Sequence, residues 1–140
     1  MSQENVERLR TALEAYNLEG PEAIIALLAP DVEWIADRSD MGRVTYRGRD
    51  GVRKSFAELY EGFDRLGFEV DELIDKGNQV VALGQMYARG RSTGVEARIP
   101  LAVVFTEGDD GKLIRYESFR NTQEALEAVG LPEQDAHADS

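Results

Sequence analysis

The chain lacks cysteine altogether and has one histidine among its 140 residues. Without thiols there is no disulfide, no thiolate nucleophile and no sulfur-ligated metal, and the redox compartment goes unmarked. The histidine, His137, stands in the stretch 132–140, which has no apolar periodicity and is expected to be a disordered tail. A histidine triad, a histidine general base and a His-rich metal site are therefore excluded from the folded body. Acid–base work falls to Asp, Glu, Tyr, Lys or water assisted by Arg. No metal and no cofactor is expected.

Long apolar runs are missing too. The longest are far too short to cross a bilayer, and no basic-then-apolar leader opens the chain. No membrane partner and a cytoplasmic location are the resulting expectations. Positive charge is scarce: 16 Lys and Arg against 27 Asp and Glu give a net charge of −11. That argues against a nucleic-acid partner, because phosphate affinity rests on clustered Lys and Arg. An acidic surface that keeps the protein soluble is the plain explanation. The length suits a single domain, residues 1–131, with a substantial core.

What is present is an ordered series of elements. Ser2 can cap a first helix whose stripe is Val6, Leu9, Leu13 and Tyr16. Gly20-Pro21 breaks it and starts a second, with Ile24, Ile25, Leu27 and Leu28 buried and Pro30 as its stop. Val32–Ala36 reads as a short strand, Asp37–Arg43 as a polar loop and Val44–Tyr46 as an edge strand. A third helix follows Asp50, with Val52, Phe56, Leu59 and Phe63 as its stripe. Phe68–Ile74, Gln79–Arg89, Val95–Phe105 and Leu113–Arg120 then read as strands, Pro100 marking an edge or bulge. Asn121 and Glu124 resemble a capping pair for a last short helix. The class is α+β: three N-terminal helices packed on a curved, mostly antiparallel sheet, with a short C-terminal helix. The sheet's second face also looks apolar, through Val80, Ala82, Met86, Ala102 and Val104, so a homodimer covering that outer face is expected.

Two strands alternate in an unusual way. Every second residue reads Val81, Leu83, Gln85, Tyr87, Arg89 in one, and Ile114, Tyr116, Ser118, Arg120 in the other. Alternate residues share a face, and both faces run from apolar to polar. Such a gradient suits a pocket with a dry floor and a polar mouth, so a small-molecule ligand is expected, with both faces meeting inside one site.

Several segments carry a resemblance. Met1–Val6, Leu28-Ala29-Pro30-Asp31-Val32-Glu33-Trp34, Tyr46–Val52, Asp110-Gly111-Lys112 and Glu124–Leu131 together resemble the nuclear-transport-factor-2-like superfamily, in its SnoaL-like or ketosteroid-isomerase-like branch. The likeness covers roughly residues 2–131. It implies a cone-shaped fold around a deep pocket, usually dimerised through the sheet, and reactions that range from isomerisation and polyketide cyclisation to epoxide hydrolysis and dehydration. The isomerase residues do not carry over: the base position falls at Ala36, the acid position at Leu101 and the tyrosine position near Ala12. Arg98 has no aspartate two residues away, as an epoxide-hydrolase relay would need, and Asn121 replaces an acid common among relatives.

Asp37, at the end of the Trp34 strand, is the best-placed general base, against the reading of an ordinary loop acid. Arg120 is its expected catalytic companion, meeting a ligand oxygen or pairing with Asp37 or Glu33. Tyr16, Trp34, Gln85, Tyr87, Arg89, Tyr116 and Ser118 are expected to contact the ligand, with core packing or solvation as the plain alternative for each. The function expected is a pocket protein that performs acid–base chemistry on a small, apolar, oxygen-bearing molecule. A non-catalytic ligand binder or a dimeric interaction module is the alternative.

Overall fold

Ser2 opens the first helix, its hydroxyl accepting a hydrogen bond from the Asn5 backbone N–H at 3.1 Å. The protein is seen in a computed structural model that describes residues 1–38 and 42–131. The expected tail at 132–140, with His137, lies outside the described residues. Helix α1 (Gln3–Glu19) buries Leu9, Leu13 and Tyr16 on one side and ends at Gly20, whose φ of 98° suits glycine. Helix α2 (Glu22–Ile25) is a single turn. A short apolar run such as Ile24–Leu28 does not distinguish helix from strand. Here the sheet takes its end: the Leu113 N–H donates to the Leu27 carbonyl at 3.0 Å, and Leu28 pairs with Leu113. Pro30 therefore lies inside β1 (Leu28–Asp37), where the register is interrupted between Leu28 and Glu33 and no ladder donor is needed.

The chain continues through β2 (Arg43–Arg47), α3 (Gly48–Gly62), β3 (Phe63–Lys76), β4 (Gln79–Gly90), β5 (Glu96–Glu107), β6 (Leu113–Phe119) and α4 (Thr122–Ala128). The strands form one curved six-stranded sheet in the order β2-β1-β6-β5-β4-β3, antiparallel except for β1 beside β6. The α+β class and short C-terminal helix match the expectation. The block of three N-terminal helices does not, since only α1 and the one-turn α2 precede a strand, and α3 follows β2. Asn121 caps α4, its side chain accepting from the Gln123 N–H at 2.8 Å. Pro100 sits in a strand that is internal by order. Pairing of β5 with β6 begins only at Ala102, so Pro100 is locally at an edge. Among the described residues no helix is long and apolar enough to cross a membrane.

Register decides the faces. Ala82 lies opposite Val103 and Val81 opposite Val104. Val80, Ala82 and Met86 therefore face α1 and α3 together with Val103 and Phe105, and were wrongly grouped with Ala102 and Val104. Val81, Ala102, Val104 and Phe119 lie on the opposite face, where Ala125, Leu126 and Val129 of the C-terminal segment pack on them. Helix α4 thus covers part of the face for which a second copy was expected.

At the open edge of β3 one side chain takes the place of a neighbouring strand at Phe68. The Asn17 amide donates to the Phe68 carbonyl at 3.0 Å and accepts from the Phe68 N–H at 2.7 Å, as a neighbouring strand would. Further along, β3 bulges between Val70 and Glu72, and its backbone crowds Gly84 of β4. A Cβ at Gly84 would overlap the Glu69 carbonyl oxygen and come within 3.0 Å of the Val70 Cα. Gly84→Ala is expected to cost about 1–3 kcal/mol through this overpacking. Urea unfolding measures it; wild-type stability in that variant would show that the strands are not so closely apposed.

Candidate functional site

Trp34 on β1 and Tyr116 on β6 are register partners in the parallel pair, and their rings stack at 3.6 Å with 3° between planes. Phe56 of α3 tilts against Trp34 and against Tyr16, each at 5.7 Å between centroids. Phe105 meets Tyr116 edge-on at 5.6 Å. These contacts leave a cavity of about 220 Å³ between α3 and the sheet. A smaller one of about 80 Å³ adjoins it on the α1 side, reaching Leu13, Tyr16 and Phe68 and sharing the walls Trp34, Phe56, Met86, Leu101 and Tyr116. Apolar walls with a few convergent polar groups are the usual make-up of a ligand site.

The polar groups gather in the larger cavity: Asp37, Arg38, Ser55, Ser118 and Arg120. The buried Ser118 hydroxyl oxygen accepts from the Asp37 N–H at 2.9 Å. Arg38 is anchored at one corner, with Nη2 donating to the Ser55 carbonyl at 3.1 Å and to its Oγ at 2.5 Å. Its Nε is buried and has no partner among the described residues, and its guanidinium carbon lies 5.7 Å from the Tyr46 ring centre. Among the described residues neither Arg38 nor the exposed Arg120 is ion-paired. Burial pushes the Tyr116 phenol up to about 12, although Ser118 and the Arg38 charge work the other way. Tyr116 nevertheless keeps part of its surface open. Tyr16 is also raised, by burial first and then by the neighbouring phenols of Tyr60 and Tyr116.

Of the residues expected from the sequence, the structure brings Trp34, Asp37, Tyr116, Ser118 and Arg120 around one cavity and puts Tyr16 on its neighbour. Gln85, Tyr87 and Arg89 are not there. They follow Val81 and Leu83 on the opposite face, so the two graded series never meet. Gln85 is exposed, the Tyr87 hydroxyl donates to Glu96, and Arg89 pairs with Asp64 at 2.8 Å. The gradient along β4 has another cause: α4 covers only its Val81–Leu83 end. Glu33 is not a partner for Arg120 either; it pairs with Arg47 at 3.0 Å and Arg115 at 3.5 Å. Arg38 and Ser55 were missed. Val32, Trp34, Ala36 and Arg38 alternate on one face, and following that period one step further would have found the arginine. Ala36 and Leu101, where the resemblance put the isomerase base and acid, line the cavity as apolar groups. Among the described residues no three His, Cys, Asp or Glu side chains converge on a metal site.

Residues 6–116 match the SnoaL-like domain family. Solved structures share the fold over nearly the whole chain. An NTF2-like protein of unknown function from Burkholderia pseudomallei is 24% identical, at a TM-score of 0.75, with 93% of this chain and 99% of that one covered. An NTF2-like protein from Burkholderia thailandensis is 29% identical, at 0.71, covering 89% and 95%. TerC, co-crystallised with polyporic acid, is 23% identical, at 0.72, covering 89% and 97%. No curated protein matches the chain.

The raised phenols predict an alkaline weakness. Below the ordinary phenol value of 10.0 both folded and unfolded chains keep the Tyr116 proton, and its contribution is full. As pH rises from there towards about 12 the unfolded chain ionises first, so stability falls. Each such phenol steepens the fall by about 1.4 kcal/mol per pH unit. Tyr116→Phe should flatten the wild-type slope by about that amount in urea unfolding series across this window. An unchanged slope would mean that Tyr116 ionises like a free phenol.

Proposed function

We propose, on the premise that the chain belongs to the SnoaL-like domain family, that it binds a small, planar, largely apolar molecule bearing oxygen in the cavity between α3 and the sheet. The observation that carries this is the aromatic wall. Trp34 and Tyr116 stack face to face, with Phe56 and Leu101 around them, beside a space of about 220 Å³. A cavity of roughly 150 Å³ accepts benzene in other proteins, so this one and its 80 Å³ neighbour have room for a two-ring body. A neighbour in fold crystallised with polyporic acid, and others described as putative SnoaL-like polyketide cyclases, support the same reading.

Acid–base chemistry on that molecule is supported by Asp37, the one carboxylate lining the larger cavity among the described residues. It would take a proton, with Arg120 facing the oxygen that gains charge. Against turnover stand Ala36 and Leu101, apolar where the isomerases have their base and acid, which favours a binder. Proton exchange of 2-tetralone in D₂O, followed by NMR, separates the two. A catalyst accelerates it, and Asp37→Asn removes about 100-fold or more of the acceleration; a binder gives the uncatalysed rate in both. We also propose a homodimer through the part of the outer sheet face that α4 leaves open, where Gln85 and Pro100 are exposed.

Trp34 is the only tryptophan, so binding has a built-in reporter. 2-Methyl-1,4-naphthoquinone is expected to quench its fluorescence saturably. Ala36→Phe, which puts a ring into the cavity, should abolish the saturable part while far-UV circular dichroism stays native. Linear, unsaturable quenching in the wild type would sink the ligand-site reading.

A further inference from the structure

The two guanidinium groups of the cavity point to the charge of its ligand. Arg38 is not a surface side chain that happens to fold inward. One residue past the end of β1, it extends the alternation of Val32, Trp34 and Ala36 and lines the cavity wall. The carbonyl and hydroxyl of buried Ser55 hold its Nη2 and fix one corner of the fork. A guanidinium has five donors and no acceptor, and here Nε is buried and has no hydrogen-bond partner among the described residues. Such a donor is costly unless an acceptor completes it, and a negatively charged acceptor does so most strongly. No described side chain does so, and the second arginine of the cavity, Arg120, is also without an ion pair.

This is not for want of acids. The chain carries a net charge of −11, and on the outer face Arg47, Arg89, Arg98 and Arg115 each meet a carboxylate. Among the described residues that line the cavity two are arginines and one, Asp37, is a carboxylate, so positive charge exceeds negative by one. Ser118 adds a hydroxyl whose oxygen accepts from the Asp37 N–H and which also hydrogen-bonds the Tyr116 phenol, so it ties the aromatic wall to the polar end of the cavity. Aromatic walls and an excess of one guanidinium charge, in a space of this size, match a planar acid with one carboxylate. That group's two oxygens fit the guanidinium fork.

We propose that the cavity is selective for a planar aromatic monocarboxylate, whose ring lies along the Trp34–Tyr116 wall and whose carboxylate completes Arg38, with Arg120 as a second, more exposed contact. This rests on the reading that the cavity is a small-molecule site, and the test separates the two. Isothermal titration calorimetry compares naphthalene-2-carboxylate with naphthalene-2-carboxamide, which has the same shape and no charge, on the full chain. The carboxylate is expected to bind at least about tenfold more tightly, the usual gain of a charge-assisted over a neutral hydrogen bond. Arg38→Gln should bring that ratio close to one, and Arg120→Gln should lower it by a smaller factor. Equal wild-type affinities overturn the proposal, as does an unchanged ratio in Arg38→Gln. The wild-type comparison stands alone should the Arg38 variant not fold. If the naphthoquinone saturates the protein while the carboxylate does not bind, the charge preference alone is wrong. If neither binds, the ligand site itself is wrong.

Discussion

The parallel pairing of β1 with β6 is the contact on which the rest of the architecture depends. It joins a strand near the start of the chain to one near its end, and every other neighbouring pair in the sheet is antiparallel. Its register sets Trp34 opposite Tyr116, which brings two large rings into face-to-face contact at 3.6 Å. From that stack the aromatic contacts spread to Phe56 on α3, to Tyr16 on α1 and to Phe105 on β5. A shift of one residue in either strand would send that strand's ring to the far side of the sheet and break the stack. The cavity lies between α3 and the sheet, bounded by the rings of Trp34, Phe56 and Tyr116 and by the small side chain of Ala36.

The same pairing sorts the charges. On the outer face, long side chains of opposite sign lie across from one another and near water, where each pair contributes little to stability. On the inner face the strand ends deliver Asp37, Arg38, Ser118 and Arg120 to one mouth. Where they are withdrawn from water, as Ser118 is, such groups act on one another more strongly than surface pairs do. The raised phenol of Tyr116 is the mark of that enclosure, since burial outweighs both a nearby hydroxyl and a nearby guanidinium.

Much of this was legible from residue order. The caps at Ser2 and Asn121, the stripe of α1, all six strands and the grouping of Trp34, Tyr116, Ser118 and Arg120 follow from short-range spacing, which local chemistry enforces. The face of β4 was not legible. Both of its alternating sets begin with apolar residues, and only the pairing of Ala82 with Val103 reveals which set meets the helices. Gln85, Tyr87 and Arg89 were misplaced for that reason: partial cover by α4 produces the same gradient that a pocket mouth would. The extent of α2 was lost to an apolar run that suits helix and strand equally, and the sheet's demand for Leu28 settled it. Arg38 hid beyond the assumed end of its strand, where alternation was no longer followed.

The most direct measurement is a crystal structure of the protein soaked with naphthalene-2-carboxylate. The ring is expected inside the cavity bounded by Trp34, Phe56 and Tyr116, with a carboxylate oxygen within hydrogen-bond distance of the Arg38 guanidinium. A ring on the outer face near Tyr87, or an Arg38 guanidinium turned away from an occupied cavity, would contradict it.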